Sequence, residues 1–239
     1  MKQTIQGFDM MIKKYGYRAA LVAATSMLAA SQALAGGYVW LEGGAGYADL
    51  STEGFDQAAA TWLTTPTATG ARVGDDDSDT LWRLGAGYAL HEHWAIELFY
   101  EDLGEYSGSM TLEGTSPQGA SATLDATETV DLSGVGAQLV GQWPLNERFA
   151  LLGTAGVSYL ENEREYRAQV SNFNAPGQSG SQSDDGHEWV PTLGLGASFQ
   201  LTEQLDVRGR YTRYFDVGET DNLPTFDLDT LSVGITWHW

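Results

Sequence analysis

The chain has 239 residues and is strongly acidic, with 32 aspartates and glutamates against 12 lysines and arginines and a net charge of −20. This charge excludes nucleic acid as a partner, because phosphate binding needs clustered lysine and arginine. The absence of cysteine excludes a disulfide framework, a cysteine metal site and a thiol nucleophile. Stability must therefore come from hydrogen-bonded structure and packing.

The first 35 residues have the three regions of a secretory signal. Basic side chains precede an apolar run at 19–30, and residues 33–35 read Ala-Leu-Ala, the small-x-small pattern of a cleavage site. A membrane-anchoring helix is the alternative, but it would need about 20 apolar residues. We expect cleavage after Ala35, which leaves residues 36–239 as one exported domain.

The rest of the chain alternates apolar and polar side chains, which is the period of a β-strand. No apolar run reaches the length of a helical membrane span. Eight segments are predicted as strands: 37–50, 80–90, 93–106, 127–143, 148–161, 188–201, 205–217 and 226–239. Each is long enough to cross a membrane as a tilted strand.

Short and long connections alternate between these segments. Tight turns are predicted at 91–93, 144–147 and 202–204. Long loops rich in Gly, Ser, Thr, Asp and Asn are predicted at 55–79, 107–126, 162–187 and 218–225. Turns on one side and loops on the other favour an outer-membrane barrel, although a soluble sandwich or lipocalin-like barrel also contains meanders.

The position of small and charged side chains separates these classes. Glu42 lies in phase with Gly44 and Gly46, and Arg83 in phase with Gly85, while the opposite faces are apolar. A soluble barrel buries its apolar face, whereas a membrane barrel is apolar outside and polar inside. We therefore predict an all-β fold, an eight-stranded antiparallel up-and-down transmembrane β-barrel, whose glycines make room for long side chains in a narrow bore.

Three late segments read WVPTLGLGASFQL, LDVRGRYTRYF and DTLSVGITWHW, and an earlier one reads WAIELFYEDLG. They resemble the last three strands and the third strand of the OmpA-like transmembrane domain, a family of small outer-membrane barrels. The resemblance implies an outer-membrane protein surrounded by lipid and lipopolysaccharide, with barrel assembly machinery and periplasmic chaperones as partners and no cofactor. We expect a monomer without the peptidoglycan-binding domain of full OmpA proteins, because the chain ends at the barrel.

The end of the chain, SVGITWHW, also resembles the C-terminal assembly signal of such barrels. Four residues carry the signal: Ser232, Gly234, Trp237 and Trp239. Most relatives end in phenylalanine, and tryptophan preserves the aromatic character. Strict alternation directs Leu231, Val233, Ile235 and Trp237 to lipid, and Ser232, Gly234 and Thr236 to the lumen.

Charged side chains on the predicted inner faces form the candidate site: Glu42, Arg83, Glu97, Arg208 and Arg210. Glu42, Glu97 and Arg208 match interior charges of the family, whereas strand phase alone adds the other two. Asp206 is a sixth candidate near the periplasmic end. Because a buried charge is costly unless it is paired, we predict an ion-pair network that fills the bore. The alternative is a gate that rearranges to pass small ions.

Several outward side chains have a predicted position. Arg213 lies near the outer rim, where lipopolysaccharide phosphate is one expected contact and a plain strand end is the alternative. Aromatic residues at the strand ends are predicted to form two interfacial girdles: Trp94, Trp143, Phe149, Phe199 and Trp237 beside the turns, and Tyr47, Trp82, Tyr159 and Phe215 near the loops.

Metal and catalytic sites are not expected. The acidic run at 74–79 lacks the pattern of a calcium-binding EF-hand loop, and His91 and His93 lack zinc-ligand spacing. The four histidines match no motif of barrel enzymes, and a triad would need serine, histidine and carboxylate together. Two functions remain: a mainly structural barrel with at most a narrow pore, or a surface-binding protein or adhesin whose long loops offer Phe55, Trp62, Phe173 and Phe226.

Overall fold

The computed structural model describes residues 36–49, 52–115, 119–172, 175–217 and 226–239. The predicted signal segment, 1–35, lies outside them. In these residues the elements are β1 Gly37–Ala48, α1 Glu53–Leu63, β2 Ala68–Asp76, β3 Ser78–His91, β4 Trp94–Thr115, β5 Ser121–Pro144, β6 Phe149–Asn172, β7 Ala175–Gln200, β8 Leu205–Val217 and β9 Phe226–His238. No helix in this part of the chain is long and apolar enough to span a membrane.

Eight antiparallel strands close into a ring. Their order is β4–β3–β1–β9–β8–β7–β6–β5, and β5 pairs back to β4. The first and last strands meet along β1 and β9, from Tyr38 opposite His238 to Ala48 opposite Leu228. A closed ring leaves no free strand edge within the wall. The predicted eight-stranded antiparallel barrel is confirmed.

The outer wall of the ring is apolar. Leu231, Val233 and Ile235 are 62%, 61% and 51% exposed, whereas Ser232 and Thr236 are buried on the lumen side. Water would disfavour such a continuous apolar surface, but hydrocarbon accommodates it. The face assignment made from the period of the last strand therefore agrees with the structure.

The strands continue far beyond the ring at the end that carries the long connections, here called the extension end. The opposite end, with the short connections, is the turn end. β2 continues the line of β3 and pairs with β4 from Asp76 opposite Ser107 to Ala68 opposite Gly114. The added strands form a five-stranded sheet in the order β2–β4–β5–β6–β7. We call it the extension: residues 68–76, 105–115, 121–131, 161–172 and 175–191.

The extension corrects three predicted loops. Residues 107–126 and 162–187 consist mainly of paired strands, and residues 55–79 contain most of α1, all of β2 and the start of β3. The acidic run at 74–79 likewise joins two strands, and Asp79 accepts a hydrogen bond from the Glu105 N–H at 2.8 Å. Threonine is well suited to a strand that is exposed to water. A composition that is typical of loops therefore belongs here to a water-exposed sheet.

Helix α1 packs on the inner face of the extension. Ala59 is buried with Met110 and Leu112, and Phe55 and Trp62 pack against this cluster. The Trp62 indole Nε1 donates to the Glu113 carbonyl oxygen at 3.0 Å. Met110 and Leu112 lie opposite Ala126 and Leu124, which are in phase with the lumen-facing side chains of β5. The helix therefore covers the sheet on the side that faces the axis of the barrel.

Candidate functional site

The middle of the lumen holds a layer of buried charges, here called the ion layer. The structure brings together the five predicted side chains and adds Glu101. The layer contains three glutamates and three arginines, each at most 4% exposed: Glu42, Glu97, Glu101, Arg83, Arg208 and Arg210. Equal numbers of opposite charges make the layer formally neutral, and pairing is the condition under which charges can be buried.

Each arginine reaches a glutamate on another strand. The closest N···O distances for three such pairs are Arg83–Glu101 3.0 Å, Arg208–Glu97 2.8 Å and Arg210–Glu42 2.7 Å. Arg208 also contacts Glu42 through its Nε atom at 2.5 Å. Because Arg208 bridges two carboxylates and Arg83 also lies 3.8 Å from Glu42, the pairs form one connected network across the lumen.

Neutral side chains donate further hydrogen bonds to the carboxylates of the ion layer. Tyr38 donates its hydroxyl to Glu97 at 2.9 Å, and Gln138 donates its amide to the same carboxylate. The Tyr214 hydroxyl donates to Glu101 at 2.7 Å. Ser232 Oγ, from the predicted assembly signal, donates to Glu42 at 3.1 Å. Hydrogen bonds from neutral groups offset part of the desolvation that ion pairs alone leave uncompensated.

Trp40 is the centre of the ion layer. The guanidinium carbons of Arg208, Arg210 and Arg83 lie 4.0, 5.2 and 5.5 Å from its ring centroid, within cation–π range. Phe99 packs beside it with ring centroids 5.9 Å apart. Strand phase places Trp40 on the inner face, but its position among three arginines was not predicted.

Glycines make this packing possible where a side chain or a neighbouring strand approaches the backbone closely. A Cβ atom at Gly85 would lie 2.6 Å from the Trp40 ring, and one at Gly234 would overlap the Leu41 carbonyl oxygen. Gly234 belongs to the predicted assembly signal. It also allows β9 to approach β1 closely where the two strands pair. In the same signal, Trp237 lies on the outer wall, 48% exposed, and Trp239 packs over Gly37.

An apolar layer fills the lumen between the ion layer and the extension. Its members form one buried cluster: Ala48, Leu103, Tyr106, Val130, Leu132, Leu160, Val190, Tyr214, Val217, Phe226 and Leu228. The alternation of polar and apolar side chains predicted a polar lumen throughout, but this part of the lumen is a hydrophobic core. Four of the surrounding strands, β4, β5, β6 and β7, enter the extension here, and their inner faces supply the apolar contacts of the sheet.

A cavity of about 250 Å³ lies at the turn end of the lumen. Tyr38, Glu97 and Arg208 line it where it meets the ion layer, and His238 and Asp206 line it nearer the turns. The Asp206 Oδ2 and His238 Nε2 atoms are 2.9 Å apart. Asp206 therefore lines this cavity and stays apart from the predicted network. The cavity stops at the ion layer.

Arg213 lies on the outer wall near the extension end, as predicted. Its Nη2 atom is 2.5 Å from Asp227 and its Nη1 atom is 3.4 Å from Asp229, both on β9. Two carboxylates of the chain therefore compensate its charge. Contact with lipopolysaccharide remains a prediction for this residue.

Several other residues that the sequence singled out as candidate metal ligands or surface contacts pack against neighbouring side chains. His91, the last residue of β3, and His93, in the turn that follows, stack with ring centroids 6.3 Å apart. In the described ranges, no group of three or more His, Cys, Asp or Glu side chains could hold a metal ion. Of the four aromatics offered as surface contacts, Phe226 is buried in the apolar layer, and Phe55 and Trp62 hold α1. Phe173 lies outside the described residues.

The family model of the outer membrane protein β-barrel domain matches residues 19–238. Among solved structures, the chain is similar to Neisserial surface protein A, with 13% identity, a TM-score of 0.42 and coverage of 86% of this chain and 98% of that one. It is also similar to the N-terminal β-barrel domain of Pseudomonas aeruginosa OprF, with 11% identity, a TM-score of 0.37 and coverage of 85% and 98%. Ail, the attachment invasion locus protein of Yersinia pestis, gives 15% identity, a TM-score of 0.33 and coverage of 84% and 97%. No curated protein matches significantly.

Proposed function

This chain belongs to the family of outer membrane protein β-barrel domains, and on that basis we propose that it is a mainly structural barrel whose lumen is closed in the resting state. Two buried layers in series carry the proposal. An ion that enters from the turn end meets the ion layer, in which every carboxylate is already bound. It then meets the apolar layer, where stripping its water has no compensation.

Planar-bilayer conductance tests the closed lumen. The wild type and Glu97→Ala are both expected to be silent, because Glu97→Ala leaves the apolar layer intact. Combining Glu97→Ala with Leu103→Ala and Leu132→Ala removes bulk from both layers and is expected to give small, unselective channels. Slower migration after heating on a gel would show that each variant is folded beforehand.

Two results would contradict this reading. Wild-type channels would show that the layers rearrange spontaneously. Channels from Glu97→Ala alone would assign closure to the ion pairs and support the gated-pore alternative. If the wild type and both variants are silent, a pore is excluded and the structural role stands.

A second function, surface binding, is favoured by the extension. The part of β6 in the extension, residues 161–172, is about 40 Å long at roughly 3.3 Å per residue, and sealing the membrane requires none of this sheet. Replacing residues 107–129 and residues 162–187 each with a short Gly-Ser turn is expected to keep the barrel folded and abolish attachment to a surface that the wild type binds. Unchanged attachment would leave the structural role alone.

Further properties follow from this proposal. Outer-membrane lipid and lipopolysaccharide would surround a monomer, with Arg213 near the headgroups. Barrel assembly machinery and periplasmic chaperones would act before insertion, with the last strand as their signal, after cleavage behind Ala35. The acidic charge supports the expectation that nucleic acid is no partner. The protein would have no enzyme activity, and a positive lipid A modification or protease assay on purified protein would contradict this.

A further inference from the structure

Strand β7 has a long free edge above the barrel. It pairs with β6 along almost its whole length, but with β8 only from Thr192 to Gln200. Along residues 179–189, here called the β7 edge, no other described strand pairs with β7 on the side away from β6. The edge is about 35 Å long at roughly 3.3 Å per residue.

Hydrogen bonds in the ring identify the backbone groups at this edge. The N–H of Gln200 donates to Arg148, the residue before β6, and the N–H of Leu201 donates to Leu205 of β8. Even-numbered residues of β7 therefore bond toward β6 and odd-numbered residues away from it, because antiparallel strands alternate in this way. The β6–β7 register is unbroken from Phe199 to Gln178. The residues that direct N–H and C=O groups to the free side are Ser179, Ser181, Ser183, Asp185, His187 and Trp189.

Negative charge is the main protection of the β7 edge against strand addition. Exposed edges are commonly blocked by proline, by charged side chains or by a β-bulge. The sequence of the edge, SGSQSDDGHEW, contains neither proline nor lysine, and the regular register excludes a bulge. The other outer strand of the extension, β2, is shorter, and its Arg72 side chain pairs with Glu113 at 3.3 Å.

Charge determines the kind of strand that fits. Residues 161–191, the upper part of β6 and β7 with the turn between them, contain six carboxylates and two arginines. A second copy of this chain would add the same excess of negative charge, which is unfavourable between neighbouring strands. A cationic strand would be attracted, and Trp189, 70% exposed at the base of the edge, offers a ring face for a cation.

We propose that the β7 edge binds an extended polypeptide segment rich in lysine or arginine, which adds to the extension as its next strand. The proposal rests on the second candidate function, surface binding, and narrows it to one edge and one class of partner. Backbone hydrogen bonds would supply the binding, and the carboxylates would select the charge.

The test uses the full protein in zwitterionic lipid nanodiscs free of lipopolysaccharide. Three synthetic ten-residue peptides serve as probes: alternating Lys and Thr, alternating Glu and Thr, and the Lys–Thr peptide N-methylated at every residue, so that no N–H group remains on either side of the strand. Fluorescence anisotropy is expected to show binding of the first peptide alone. Ser181→Pro with Ser183→Pro removes two edge N–H groups without touching the β6 pairing, and about tenfold weaker binding is expected from the lost hydrogen bonds. Ser181→Thr with Ser183→Thr keeps both groups and is the matched control.

Each outcome decides the proposal. Equal binding of the N-methylated peptide, or unchanged binding to the proline variant, would show attraction by charge alone and overturn strand addition. Binding of the acidic peptide would overturn the charge argument. If no peptide binds while replacement of residues 107–129 and 162–187 still abolishes attachment, the β7 edge is excluded and surface binding through another part of the extension stands.

Discussion

Each lumen carboxylate is held by several donors from different strands. Glu42 accepts from Arg210 and Ser232 and contacts Arg208. Removing one charge therefore leaves buried cations without compensation, and this costs more than the pair contributes when intact.

Glu42→Gln keeps the shape of the side chain and removes its charge. We expect it to lower the free energy of unfolding by about 3 to 5 kcal/mol, the usual cost of breaking a buried ion pair. Urea unfolding in lipid vesicles, followed by tryptophan fluorescence, measures the change. Glu92→Gln, in the exposed turn between β3 and β4, is the control and should stay within about 0.5 kcal/mol of the wild type. Equal stability of the two variants would contradict the network.

Strand phase was sufficient to find most of the ion layer, because each inner residue is two positions from the next. Glu101 was missed although it lies in the same phase as Glu97, and that signal was available. The place of Trp40 could not be derived in this way. It depends on the relative heights of Arg83, Arg208 and Arg210 on two other strands, and phase along one strand carries no information on register between strands.

Among the elements, α1 is fixed by a small number of contacts. Trp62 and Phe55 lie over glycines at 114 and 108 of β4, and the Trp62 indole makes a hydrogen bond. The predicted loop at 55–79 missed this helix, although Phe55, Ala59 and Trp62 have the i, i+4, i+7 spacing of a helical face. The helix is stabilised by packing on the extension.

Trp62→Ala is expected to release α1 and leave the barrel intact. Hydrogen exchange of the backbone amides in residues 53–63 should accelerate about tenfold or more, because local opening no longer breaks the Trp62 contacts. Leu63→Ala is the control, since Leu63 is 56% exposed, and exchange should barely change. Similar rates in both variants would show that α1 does not depend on the extension.

For the whole molecule, alternation and strand number were enough to predict a closed barrel, since no other arrangement hides every edge of such strands in lipid. The height of the wall could not be predicted in the same way. Above the ring, residues such as Thr111 and Thr127 face water on one side, and a hydrated strand and a hydrated loop have similar compositions. Only pairing across strands distinguishes them.

The wall is also uneven. β4, β5, β6 and β7 extend far beyond the ring, while β1 ends at Ala48, β8 at Val217 and β9 begins at Phe226. Viewed along the membrane normal, the molecule consequently has one side with tall strands and one side with short strands. Among the described residues, a neighbouring protein that approaches β4, β5, β6 and β7 meets the extension, whereas one that approaches β1, β8 and β9 meets shorter strands. The contacts that this barrel makes with a neighbour therefore depend on how it is rotated about the membrane normal. A ring of uniform height would present the same wall in every direction.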